Sequence, residues 1–175
     1  RSAAARLHLD NGTPINADAI LVAVGRAPNA SGMDLDAAGV EVDERGFVRV
    51  DRHLRTTSRG VYAVGDVTGL SLFTHAADEM GRVAAGNSAR RFPQRRFRAE
   101  AIPRVTYTDP EVAHVGLTEA EVAVRGGRVS FLPMSAVDRA IVAGRTEGFL
   151  KLMVGPRALT RNVAVVQYPS LSRSR

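Results

Sequence analysis

The side chains best placed to do chemistry stand at the end of one short apolar run. Thr56-Thr57-Ser58-Arg59-Gly60-Val61-Tyr62-Ala63-Val64-Gly65-Asp66 reads as a turn, a four-residue strand over Val61–Val64, and then an acid. An apolar run entered through one glycine and left through another has the pattern of a parallel strand covered on both faces. Strands of that kind deliver ligand groups at their carboxyl ends. Gly65 has no side chain to hold a ligand off the backbone, and Asp66 then presents a carboxylate that accepts hydrogen bonds from sugar or polyol hydroxyls. An ordinary buried strand ending in a turn Asp has the same look. The first reading points to a nucleotide-like cofactor.

The element that follows must position this acid. Beyond the loop Val67–Phe73, a helix is predicted from about Thr74 to Ala89, with Thr74 as N-cap and Asp78 and Glu79 near the first turn. Ala76, Ala77, Met80, Val83, Ala84 and Asn87 recur at helical spacing, a narrow face suited to close packing on a sheet or a flat ligand. Plain core packing explains that face equally well. The amino end of the helix follows the acid directly, so its free N–H groups can point at an anionic ligand.

Composition narrows the classes. The chain has 175 residues, 45% hydrophobic and 24% charged, ordinary for a globular protein with a real core. No apolar run approaches the roughly 18 residues of a membrane span, no secretory core opens the sequence, and a cytoplasmic setting is expected. There is no cysteine, which excludes disulfides, thiolate metal sites and thiol nucleophiles on these residues. The net charge is +6 and nearly all of the basic residues are Arg. Arg90, Arg91, Arg95, Arg96 and Arg98, interleaved with Phe92 and Phe97, resemble a phosphate-contacting patch. No nucleic-acid motif accompanies them, so a solvated connector broken by Pro93 is the favoured reading.

Arg6–Leu9, a tight turn at Asn11-Gly12, and Ile15 predict a hairpin. Ala19–Val24 is continuously apolar and reads as a buried strand, closed by Gly25-Arg26-Ala27-Pro28-Asn29. Alternation over Val40–Asp43 and Phe47–Val50 about Gly46 predicts a half-buried hairpin that serves as scaffold. Later, two strands turn about Thr108-Asp109-Pro110, and Thr118 with Glu121 forms a capping box ahead of a helix. Val129–Leu132 and Phe149–Val154 supply further strands, which together predict an antiparallel sheet with a helix on one face.

Thr57, Gly60, Val61, Tyr62, Ala63, Gly65 and Asp66 match the second flavin motif of the pyridine nucleotide-disulfide oxidoreductases, flavoproteins that include dihydrolipoamide dehydrogenase and mercuric reductase. Asp18–Asn29 resembles that family's return from its nicotinamide domain, and Ile102–Glu119 resembles the opening of its carboxyl-terminal interface domain. The resemblance implies FAD as cofactor, with NADH or NADPH as hydride donor in a parent enzyme. It implies that Asp66 binds the ribityl chain, with Gly65 and Ala63 beside it. It places Phe73, Thr74, His75 and Ala76 under the flavin ring, through backbone more than side chain, and Gly25 and Arg26 near the interdomain cleft. A helix-start His without a catalytic role is the favoured reading of His75.

The implied fold is α/β plus α+β: the end of a nicotinamide-binding domain over 1–27, the carboxyl-terminal part of a Rossmann-like flavin domain over 28–98, an incomplete antiparallel interface domain over 99–164, and a solvated or unpaired tail over 165–175. The family's interface sheet pairs two subunits, so a homodimer acting on a disulfide or another small-molecule acceptor is implied, with no membrane partner. The redox cysteine pair belongs to a segment expected upstream of Arg1. The carboxyl-terminal acid/base His and Glu are not matched either, and His114 and Glu119, five apart, read as structural. No G-x-G-x-x-G loop occurs. The expectation is therefore a piece of an enzyme, inactive alone, with a truncation or shifted frame after Arg161. The alternative is a non-catalytic module that dimerises through its sheet or binds polyanions through its arginines.

Overall fold

The computed structural model describes residues 5–89, 94–155 and, for the backbone only, 165–168. The chain opens with an antiparallel hairpin of β1 (Ala5–His8) and β2 (Pro14–Ala17). The turn is wider than Asn11-Gly12 alone suggested. Gly12 N–H donates to the Leu9 carbonyl at 2.8 Å and Leu9 N–H to that of Thr13 at 3.0 Å. Gly12 takes a φ of +82°, the left-handed position on which such a three-residue hairpin loop closes.

Neither apolar run expected as a strand, Val61–Val64 as a parallel one, forms one. Ala19–Val24 pairs with no described segment, and Leu21 and Val24 are 89% and 94% exposed. Val61–Val64 keeps a single bridge, Tyr62 to Arg55, and Val61 is 40% exposed. A strand needs a hydrogen-bonding neighbour along its length, and among the described residues only the short stretch Leu54–Thr56 meets Val61–Val64 and none meets Ala19–Val24. The hairpin expected over 40–50 is also reduced to one bridge, Val42 to Val48, although Gly46 takes the left-handed turn position at φ +84°. The Asp43 carboxylate accepts from the Arg45 and Phe47 amides at 2.9 Å each and holds the turn shut.

Helix α1 spans Thr74–Ser88, with Phe73 rather than Thr74 at the N-cap and no side chain closing that end. Asp78 and Glu79 lie past the first turn; Asp78 pairs with Arg82 at 2.7 Å. The small-residue face is the buried one, through Ala76, Met80, Val83, Ala84 and Asn87. With Leu54, Phe97 and Ile102 it makes the larger core, each large side chain contributing about 1.5–3 kcal/mol by leaving water. Asn87 is satisfied within that core: Nδ2 donates to the carbonyls of His53 (3.2 Å) and Arg95 (2.8 Å), and Oδ1 accepts from Arg95 N–H (2.7 Å). The connector is thereby tied down, and Phe97 is a core residue rather than part of a solvated stretch. Arg90, Arg91, Phe92 and Pro93 lie outside the described residues.

The remainder is β3 (Arg104–Thr106), β4 (Glu111–His114), α2 (Glu119–Val124), β5 (Arg128–Pro133), α3 (Asp138–Val142), β6 (Phe149–Val154) and β7 (Val165–Tyr168). They form an antiparallel sheet of order β3-β4-β7-β6-β5. The capping box is present as read: Thr118 Oγ1 accepts from Glu121 N–H, and the Glu121 carboxylate accepts from Thr118 N–H at 2.7 Å. These Thr118 bonds hold the Glu121 carboxyl below its ordinary range. Leu117, Val122 and Met153 form a second, smaller core where α2 meets the sheet. β7 corrects the expectation of an unpaired tail for 165–168, since this strand lies between β4 and β6 and joins what would otherwise be two hairpins. Residues 156–164 and 169–175 lie outside the described residues.

Candidate functional site

A 3-10 turn over Gly65–Thr68 carries Asp66, and Gly65 enters it at φ +79°. Both backbone groups of Gly65 are held. Its N–H donates to Met80 Sδ at 3.2 Å, and its carbonyl accepts from Thr68 Oγ1 at 2.8 Å. A Cβ at Gly65 would stand 3.4 Å from the methyl of Ala77, so the turn lies directly on α1 and has room for glycine. Ala63 N–H donates to the Leu54 carbonyl at 3.2 Å, which ties the preceding run to the loop bearing the most buried core leucine.

The Asp66 carboxylate is half-exposed, and its Oδ2 accepts from Arg26 Nη1. Two segments 40 residues apart, Gly25-Arg26 and Gly65-Asp66, therefore meet. Because the Arg26 and Asp66 side chains are 64% and 43% exposed, water screens the pair and it contributes little stability. An incoming hydroxyl can exchange with the guanidinium cheaply, and Oδ1 has no partner among the described residues.

The start of α1 adds donors. The amides of Thr74, His75 and Ala76 precede the first intrahelical donor, the Ala77 N–H that bonds the Phe73 carbonyl at 3.0 Å, and no side chain caps them. Ala76 is fully buried as a whole residue, whereas Thr74 and His75 are exposed. Phe73 stacks on His75 with ring centroids 5.4 Å apart. His75 Nε2 donates to the Pro103 carbonyl at 2.8 Å, so this ring tethers the helix start to the approach to β3. A carboxylate for hydroxyls beside a row of helix-start N–H groups suits a ligand with a polyol arm and a partly anionic face.

Two hollows that do not include Asp66 were not anticipated. One of about 550 Å³ is lined by Glu41, Arg49, Asp51, Arg55 and the turn 56–60. Burial raises the Asp51 carboxyl, but bonds from the Arg55 side chain and from the Arg55 and His53 amides outweigh it and leave it below its ordinary range. The other, about 220 Å³, lies between His114, Thr118, Glu119, Phe149, Lys151 and Met153. It brings His114 and Glu119 to one place without pairing them: Lys151 Nζ donates to Glu119 at 2.6 Å, and His114 Nε2 is buried with no hydrogen-bond partner among the described residues. No cluster of three or more metal-ligating side chains occurs among the described residues.

A model of the pyridine nucleotide-disulphide oxidoreductases matches residues 1–81, and the model of that family's dimerisation domain matches 102–161. The dihydrolipoyl dehydrogenase of Thermus scotoductus is 46% identical over 138 residues, 78% of this chain and 29% of that protein. The mercuric reductase of Bacillus cereus is 40% identical over 147 residues, 83% of this chain and 23% of that protein. Among solved structures, the HOCl-induced flavoprotein disulfide reductase RclA from Escherichia coli superposes with a TM-score of 0.75 at 30% identity, over 93% of this chain and 38% of its own. The chain thus spans under a third of the length of the curated relatives it matches. On two matched segments and a shared course of the backbone, the chain belongs to the pyridine nucleotide-disulphide oxidoreductase family.

Proposed function

We propose that this chain contributes the ribityl-binding turn and the interface sheet of an FAD-dependent oxidoreductase that passes hydride from NADH or NADPH to a disulfide or another small acceptor. Bound FAD would supply the hydride-accepting ring. The residues here would bind and orient it: Asp66 takes the ribityl hydroxyls, Gly65 and Ala63 form the close backbone wall, and Gly25 and Arg26 border the same carboxylate. The amides of Phe73, Thr74, His75 and Ala76 face the ring where negative charge gathers on reduction, an interaction worth about 0.3–1 kcal/mol exposed and up to about 2 when partly buried. With no cysteine in the sequence, a thiol step falls to other residues of the enzyme. A homodimer formed through the five-stranded sheet and a cytoplasmic role in redox homeostasis complete the proposal.

The observation that carries this reading is the juxtaposition of a half-exposed Asp66, its Oδ1 unpartnered among the described residues, with an uncapped helix start. The relatives support it as dihydrolipoyl dehydrogenase, mercuric reductase and a flavoprotein disulfide reductase. Titrating FAD into the protein and following flavin fluorescence tests it. Quenching is expected, weakened about tenfold to a hundredfold by Asp66→Ala, because hydrogen bonds to a charged acceptor are worth about 1.5–3 kcal/mol. No quenching, with salt-sensitive binding to nucleic acid instead, would favour the polyanion-binding module.

A further inference from the structure

Asp66 has a backbone support that the family motif does not spell out. A buried N–H requires an acceptor, and Gly65 finds none in a strand ladder, because the run before it keeps only the bridge at Tyr62. Its N–H instead meets the sulfur of Met80 at 3.2 Å. Met80 is fully buried, one face of it in the core formed with Leu54, Ala76 and Val83. The Thr68 hydroxyl, which donates to the Gly65 carbonyl, lies 3.7 Å from the same sulfur. Two groups of the turn thus converge on one side chain of α1.

We propose that Met80 is a positioning residue for Asp66: its sulfur, by accepting the Gly65 N–H, locks the turn bearing the carboxylate to the helix whose start offers the free amides. The inference rests on reading Asp66 as the polyol-binding group. A thioether is a weak acceptor but a flexible one, able to reach the amide while filling an apolar gap. Met80 stands six residues into the helix that begins at Thr74, so this contact sets the spacing between the carboxylate and the amides of Thr74, His75 and Ala76. A ligand touching both would sense any slip between them.

Leucine at this position keeps the packing and loses the acceptor, whereas glutamine keeps an acceptor at similar reach and brings polar atoms into the core. A packing role and a positioning role therefore rank the two variants in opposite order. In the full chain, Met80→Leu is expected to speed hydrogen exchange of the Gly65 amide about tenfold relative to Val83 and Ala84, and to weaken FAD binding by a similar factor. Met80→Gln is expected to restore both toward the wild type. Unchanged Gly65 protection in Met80→Leu, or Met80→Gln the worse of the two in both readouts, overturns the proposal. If Met80→Leu does not fold, Met80→Gln decides alone: retained Gly65 protection supports the contact and lost protection refutes it. If Asp66→Ala leaves FAD affinity unchanged, it is the reading of Asp66 that falls, while Gly65 exchange still judges Met80.

Discussion

The two parts of the chain on either side of Ile102 satisfy their backbones differently. From β3 onward each strand is antiparallel and finds its neighbour within the described residues, so a five-stranded sheet closes over the small core of Leu117, Val122 and Met153. Before Ile102, Ala19–Val24 and Val61–Val64 have the apolar pattern of parallel strands but almost no pairing, and much of their side-chain surface faces solvent. The course of the backbone is kept even so, since the superposition on the RclA structure extends over 93% of the chain. Turns, the α1 core and contacts such as Gly65 to Met80 fix where the chain runs, and ladder hydrogen bonds are a separate matter.

That contrast is sharpest in the two cores. Leu54→Ala removes a fully buried side chain from the larger core and is expected to cost about 2–5 kcal/mol, lowering exchange protection in α1 while β5 and β6 keep theirs. Met153→Ala should do the reverse. A single transition shared by both halves in denaturant, followed by amide signals from each, would show one cooperative unit and remove the distinction. Gly127→Ala confines the damage to the second half. The added Cβ would lie 2.4 Å from a Val122 methyl and 2.7 Å from the Val154 carbonyl, and overpacking of this kind costs about 1–3 kcal/mol. Thr118→Ala, which opens the capping box of α2, is expected to cost about 1 kcal/mol in the same half.

The smallest effect is set by pH. Asp51 in the first half and Glu121 in the second both have carboxyls held below their ordinary values of 3.8 and 4.5. The stability they contribute is fully present above those values and is lost as pH falls through the lower folded ones. Acid titration of the wild type against Asp51→Asn and Glu121→Gln should therefore show the gap between each pair closing as the pH drops. A gap that widens in acid would contradict the assignment.

What the sequence disclosed follows from how local each signal is. Asn11-Gly12, the Thr118 and Glu121 pair and the spacing of Ala76, Met80, Val83 and Asn87 act within a few residues, and each produced its element, whereas Gly46 produced its turn but only one bridge of its hairpin. Ala19–Val24 and Val61–Val64 were misjudged because an apolar run states what a strand requires, not whether a neighbour is there to meet it. β7 was missed because Val165-Val166-Gln167-Tyr168, although rich in β-branched and aromatic residues, is too short to announce a place between β4 and β6. At the site, Arg26 and Asp66 were each singled out, but their ion pair depends on folding across 40 residues. The Met80 contact carries no sequence signal at all, since the same residue reads as ordinary core.

The most direct test of the central claim is to map FAD onto the protein by following backbone amide shifts during a titration. The account predicts perturbations concentrated at Gly65 and Asp66 and at Phe73–Ala76, with Arg26 released from its carboxylate partner. Shifts confined to the hollow around Asp51 and Arg55, or to the arginines near Arg95, would contradict it, as would a saturating complex that leaves Asp66 untouched.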